Sequence, residues 1–202
     1  RYSTTGSSTW VNAQPTLRPT KYGTLALAHN GNLTNTGDLA ELVQKLESSA
    51  TSMSGITTDT EIMTALIALQ DEKNVEASAL AVLPQLEGAF SLVFMDEHTL
   101  YAARDRHGVR PLVLGKLETG WVVASESAAL DIVGAAFIRE VEPGEFIAID
   151  VNGVRSQRWA TAEPKGCLFE YVYLARPDTT IAGSGIHKTR VAIGEQLARE
   201  AP

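Results

Sequence analysis

The chain has 202 residues, 44% of them apolar and 20% charged, which is ordinary globular composition and excludes a disordered or collagen-like chain. Seventeen basic residues against 24 acidic ones give a net charge of −7 with no basic stripe, so a nucleic-acid surface is not expected. No run of 18 apolar residues occurs, so no membrane span is expected either.

This length suits one domain, or one domain and part of a second. The single cysteine, Cys167, cannot form an internal disulfide, which points to a reducing compartment such as the cytoplasm. The chain opens on Arg1 and stops at Ala201-Pro202 directly after a helical pattern. Both ends therefore read as internal to a longer protein.

Residues 1–20 are rich in Ser, Thr, Asn and Pro and predict a loop. Thr24–Ala28 predicts a short strand before a Gly-Asn cluster. Asn35 to Asp38 resembles a helix N-cap with an acid three residues on, followed by Leu39, Leu42, Val43 and Leu46 at helical spacing. Thr58-Asp59-Thr60-Glu61 is a capping box that opens a second helix through Ile62, Leu66 and Leu69. A third helix is expected over Val75–Leu83. From Gly88 the period becomes two, predicting strands at Ala89–Met95, Thr99–Ala103, Pro111–Gly115 and Trp121–Ser125. A short helix fits Ser127–Val133. Phe146–Asp150 and Val154–Arg158 flank Asn152-Gly153, a hairpin signal of type I′ character. Residues 160–186 are mostly irregular around the apolar stretch Leu168–Leu174, and a last helix begins near His187.

The four histidines, His29, His98, His107 and His187, form no H-x-H or H-x-x-x-H pair, and no phosphate-loop or EF-hand sequence occurs. Cys167 fits a small buried hydrophobe; nothing local makes it a nucleophile. Three features carry more chemistry. His29-Asn30-Gly31-Asn32 offers two side-chain donors from Asn30 and a close backbone N–H at Gly31. Such a pair can form an oxyanion hole, although a polar turn explains the same residues. Asp59 can bind a cation or simply cap its helix. Arg1, before the Ser/Thr/Gly-rich segment from Tyr2, can clamp a carboxylate on a lid or be an ordinary surface arginine.

The stretches RYSTTGSS, HNGNL, TTDTE, EGAFSLVF, RDRHGVRPLVLG, ASESAALD and FEYVYLARPDTTIAG follow one another in this order. Together they resemble the glutamine phosphoribosylpyrophosphate amidotransferases, a family of class II glutamine amidotransferases, over essentially the whole chain. HNGNL and TDTE are shared with other class II members; EYVYLARPD and HGVRPLVLG are more specific. The resemblance implies an α+β fold, the αββα sandwich of N-terminal-nucleophile hydrolases, over residues 1–163. Residues 164–202 would begin an α/β phosphoribosyltransferase domain.

The implied reaction hydrolyses glutamine and passes the ammonia to phosphoribosyl pyrophosphate, the first step of de novo purine synthesis. The implied nucleophile is the thiolate of a chain-initial cysteine. Asn30 and the Gly31 N–H would hold the oxyanion, Arg1 the glutamine carboxylate, Asp59 its ammonium, and Thr4 a further hydroxyl contact. Mg2+ would sit in the transferase domain. In part of the family a cysteine at the position of Cys167 ligates a [4Fe–4S] cluster, which needs three more thiolates. A cytoplasmic homo-oligomer is implied, with no nucleic acid or membrane partner.

Two departures stand out. The nucleophilic cysteine is absent, so the chain by itself is expected to be inactive, and Arg106 stands where the family more often has proline. Other readings are the glutaminase domain of a different class II amidotransferase, a non-catalytic glutamine-binding module, and an unrelated Cys167 hydrolase. The acceptor domain, the missing N-terminus and thiol labelling would separate them.

Overall fold

Residues 10–47 and 58–201 are described in a computed structural model of the chain. Six antiparallel strands form the main sheet: β1 (Thr16–Thr20), β2 (Gly23–Leu33), β3 (Gly88–Met95), β4 (Leu100–Arg104), β8 (Glu145–Asp150) and β9 (Gly153–Arg158), in the order β1-β2-β3-β4-β8-β9. A second sheet of three strands has the order β6-β5-β7, from β5 (Val113–Lys116), β6 (Trp121–Ala124) and β7 (Ala136–Glu140).

The two-residue period of the strands divides the apolar residues between two faces. Leu25, Leu27, Phe90, Leu92, Phe94, Tyr101, Ala103, Phe146 and Ala148 form one core with the helices α1 (Thr36–Glu47), α2 (Asp59–Leu69) and α3 (Val75–Val82). The alternate residues Val93, Ala102, Ile147 and Ile149 pack against Leu112, Leu114 and Val141 of the second sheet and its flanks. The far side of that sheet buries Val113 against Leu130 of α4 (Ser127–Ile132). The layers therefore run helix, sheet, sheet, helix, which is the expected αββα sandwich.

Helix α2 forms where its capping box predicts. Thr58 Oγ1 accepts from the Glu61 N–H, and the Glu61 carboxylate accepts from the Thr58 N–H, both at 3.2 Å. Ile62–Ile67 are all buried, so this helix is inside on nearly every side. The α1 start differs from its expected cap. The Asn35 side chain reaches across to donate to Gln85 O and accept from the Glu87 N–H, tying α1 to the segment that enters β3.

Three further expectations change. Residues 16–20 form a strand, not a loop; Pro19 is tolerated because β1 pairs with β2 alone and lies at the sheet edge. The hairpin at Asn152 forms, but positive φ falls only on Gly153 (110°), so the turn is not type I′. Strand β2 does not stop at Ala28. It continues to Leu33, so His29-Asn30-Gly31-Asn32 lies within a strand rather than a turn. Strand β7 lies outside the expected strands.

After β9 the chain crosses to a π-type turn (Glu170–Leu174), a small hairpin of β10 (Thr180–Ile181) and β11 (Ser184–Gly185), and α5 (Ile186–Glu200). Buried Glu170 accepts from Arg110 at 2.7 Å, and Arg190 of α5 donates to Tyr171 O and Ala175 O. These contacts hold the segment to the sandwich and to itself.

Candidate active site

Hydrogen bonding alternates along an antiparallel ladder. Phe90, opposite Gly31, directs both backbone groups to Asp105: its N–H donates to Asp105 Oδ2 at 3.0 Å, and its C=O accepts from the Asp105 N–H at 2.9 Å. Gly31 is thus a non-bonded partner of Phe90. The N–H groups of His29, Gly31 and Leu33 therefore turn away from β3, toward the edge beyond Thr16 that no strand covers among the described residues. His29 N–H donates to Gln14 Oε1 at 2.8 Å, and Leu33 N–H to Asp59 Oδ2 at 3.4 Å. The Gly31 N–H stands between these two.

Only glycine fits there. Gly31 has φ of 141°, and a Cβ at this position would lie 1.9 Å from Ala89 O. Asn30 alternates to the opposite face, is exposed, and makes no side-chain hydrogen bond among the described residues. The Asn30 amide and the Gly31 backbone N–H are donors on adjacent residues of β2.

The start of α2 brings Asp59 to the same edge. Its carboxylate is buried; Oδ1 accepts from the Thr60 N–H at 3.0 Å. Burial pushes the Asp59 carboxyl up, but the His29 ring and the Leu33 and Thr60 N–H groups outweigh it and hold it below the ordinary aspartate value. Asp59 is therefore a carboxylate at neutral pH, with helix capping and cation binding both within its reach. Gln14 braces the arrangement: its Nε2 donates to Thr60 Oγ1 at 2.7 Å while its Oε1 holds His29. Gln14 is not a candidate from the sequence, and His29 enters there only as the first residue of the HNGN stretch with no role of its own, because their partners lie 15 to 46 positions away.

Arg1 and Thr4 lie outside the described residues. Cys167 is half-buried and lines a separate cavity of about 300 Å³ with Arg104, Pro143 and Tyr171; Asn30, Gly31 and Asp59 do not border it. Among the described residues no three His, Cys, Asp or Glu side chains gather as a metal ion needs. Cys167 alone does not suffice for an iron–sulfur cluster. The RDRHG stretch is structural here. Arg104 is buried and donates to Gly108 O, Arg110 O and Val141 O at 2.7–2.8 Å, which fixes the loop after β4.

The family described as "Glutamine amidotransferase domain" matches residues 6–132. The amidophosphoribosyltransferase of Mycobacterium tuberculosis (strain H37Rv) is 58% identical over 205 residues, covering all of this chain and 39% of that protein. The corresponding protein of Synechococcus elongatus is 46% identical over 213 residues, covering all of this chain and 42% of its own. The chain thus spans about two fifths of the length of the curated relatives it matches. Among solved structures, glutamine phosphoribosylpyrophosphate amidotransferase from B. subtilis, complexed with ADP and GMP, superposes with a TM-score of 0.88 at 38% identity, over 96% of this chain and 42% of that one. A class-II domain protein from Silicibacter pomeroyi, 22% identical with a TM-score of 0.51 over 67% of this chain, shares the fold. The chain belongs to the glutamine amidotransferase domain family, and its high-identity relatives are amidophosphoribosyltransferases.

Proposed function

We propose that this chain is the glutamine-hydrolysing part of an amidophosphoribosyltransferase. The whole enzyme would release ammonia from glutamine and use it to displace pyrophosphate from phosphoribosyl pyrophosphate. The observation that carries the reading is the edge of β2, where the Gly31 N–H lies between N–H groups taken up by Gln14 and by the Asp59 carboxylate, with exposed Asn30 next to it in the strand.

A tetrahedral intermediate at the glutamine amide needs two donors aimed at one developing oxyanion, and Asn30 with Gly31 suits that need. An amino acid also needs one anion for its ammonium and one cation for its carboxylate; Asp59 would serve the first and Arg1 the second, with Thr4 beside it. The nucleophile would be a chain-initial cysteine, not Cys167, which lies against another cavity. Magnesium and any iron–sulfur cluster would belong to parts of the enzyme beyond these residues, and no step here runs through them. No helix in the described residues is long and apolar enough to cross a membrane. The reading implies a cytoplasmic homo-oligomer.

The test is Asn30→Ala in the full-length protein. Glutamine-dependent kcat falls by about 10²–10³, the usual cost of one oxyanion donor. Synthesis from added ammonia survives, because that route forms no thioester. Equal loss of both activities would show that Asn30 supports the fold and not the chemistry.

A further inference from the structure

His29 is the odd member of its face. The preceding positions on the same side of β2, Leu25 and Leu27, are apolar core residues, yet here a fully buried imidazole faces the helices. Neither ring nitrogen has a hydrogen-bond partner among the described residues. Buried polar groups are almost always satisfied, and one left open costs more than an apolar residue of similar size.

The ring lies beside a second under-satisfied group. His29 Nδ1 is 3.6 Å from Asp59 Oδ2, just beyond hydrogen-bond range, and the Leu33 N–H reaches the same oxygen only at 3.4 Å. Asp59 Oδ1, by contrast, is firmly held by Thr60 at 3.0 Å. One oxygen of the carboxylate is anchored and the other is slack. The frame around the pair is not slack. Gln14 links the His29 backbone to Thr60 through bonds of 2.8 and 2.7 Å, so the strand and the helix start are fixed relative to each other. Only a side-chain adjustment of a few tenths of an ångström separates the ring from the carboxylate.

We propose that His29 is a positioning residue: with its proton on Nδ1 it donates to Asp59 Oδ2 and orients the carboxylate toward the ammonium of glutamine. This rests on the glutamine-site reading above. The ring has no exposed side-chain surface and lies against Asp59, so it acts through that carboxylate and not on the substrate directly. Its work is done through Asp59. Loose contacts of this kind tighten when a ligand completes the site, and an ammonium arriving at Asp59 supplies the missing positive partner. The pair thereby selects for an amino acid over the same amide without its α-amino group.

The experiment compares glutamine with glutaramate, which is glutamine lacking the α-ammonium, as substrates of the full-length protein. The readout is the ratio of their kcat/KM values in wild type, His29→Leu, His29→Asn and Asp59→Asn. His29→Leu fills the space as Leu27 does but removes the donor. It lowers the ratio about tenfold or more, the worth of one hydrogen bond to a charged group, and the loss appears in the KM for glutamine. His29→Asn places an N–H near the position of Nδ1 and recovers most of the ratio. A merely structural role for His29 would lower both substrates alike and leave the ratio unchanged, which overturns the proposal, as does failure of asparagine to do better than leucine. An unchanged ratio in Asp59→Asn removes the glutamine-site reading itself. A ratio that falls in Asp59→Asn but not in His29→Leu overturns the role of His29 alone.

Discussion

Replacing Gly31 by alanine sets sterics, backbone strain and chemistry against one another at a single atom. The new Cβ would lie 1.9 Å from Ala89 O, and real contacts of this kind do not fall below 3.0 Å, so the carbonyl must retreat by about 1.1 Å. That carbonyl belongs to the residue paired with Asn32, so it moves only with the ladder. Overpacking of this order costs about 1–3 kcal/mol. A non-glycine residue held at φ of 141° costs about another 1–3 kcal/mol. Together these amount to about 4 kcal/mol, a large share of a typical domain's stability and about 10 °C in Tm for a chain of this size. Gly153→Ala separates the two contributions. Its φ is 110°, but nothing lies within 4 Å of its Cβ position, so it carries strain without the clash. The assay is thermal unfolding of both variants in the full-length protein, followed by steady-state kinetics below their melting points. Gly31→Ala should melt well below Gly153→Ala and lose glutamine-dependent kcat by about 10²–10³ while keeping ammonia-dependent synthesis. If Gly31→Ala melts no lower than Gly153→Ala, the close approach to Ala89 does not exist in solution. If it keeps its glutamine activity, the Gly31 N–H is not an oxyanion donor.

Two more substitutions test the scaffold. Buried Glu145 accepts from both guanidinium nitrogens of Arg139 at 2.6 and 2.8 Å, from the Glu142 N–H at 2.7 Å and from Ser156 Oγ. Burial pushes its carboxyl up, but Arg139, Ser156 and the Glu142 N–H hold it net below the ordinary glutamate value. A lowered folded-state value gives stability that is full above the unfolded value and is lost as pH falls through the folded one. Glu145→Gln should therefore cost about 2 kcal/mol near neutrality, discounted from a fully buried pair because Arg139 is more than a third exposed. The gap to wild type, read by denaturant titration, should narrow only below about pH 4. Thr58→Ala removes the side-chain half of the capping box and should cost about 1 kcal/mol. Because the same helix start carries Asp59, the KM for glutamine should rise with it; a stability loss without any KM change would detach Asp59 from the substrate.

What was legible beforehand divides along the range of the interactions. The capping box at Thr58–Glu61 is a local device, complete within four residues, so α2 was readable from its letters. The alternation in Phe90, Leu92 and Phe94 likewise announced a strand with one face on a core. The HNGN stretch misled because Asn and Gly favour turns in isolation. Here the pairing with β3 overrides that preference, and Gly31 is needed for its lack of a Cβ, not for a bend. Strand β7 was invisible for a similar reason. Ala136–Glu140 shows no alternation, exposes Phe137 and Ile138, and takes its form from β5 through an irregular register. The site residues rose above ordinary turn and cap readings only through the family resemblance. His29 and Gln14 could not be chosen even then, since nothing in their own neighbourhood indicates Asp59 or Thr60.

The bare edge of β2 has a consequence for solubility as well. An open strand edge is a template on which another chain can add a strand, and addition requires several N–H and C=O groups in succession. Here the Gln14 amide occupies the position before Gly31, and the Asp59 carboxylate, a negative charge, occupies the one after. Among the described residues, what remains between them is the Gly31 N–H with the neighbouring His29 and Gly31 carbonyls. That is a short stretch on which to seed a foreign strand, so Gln14 and Asp59, which flank the Gly31 N–H, also guard the sheet against aggregation.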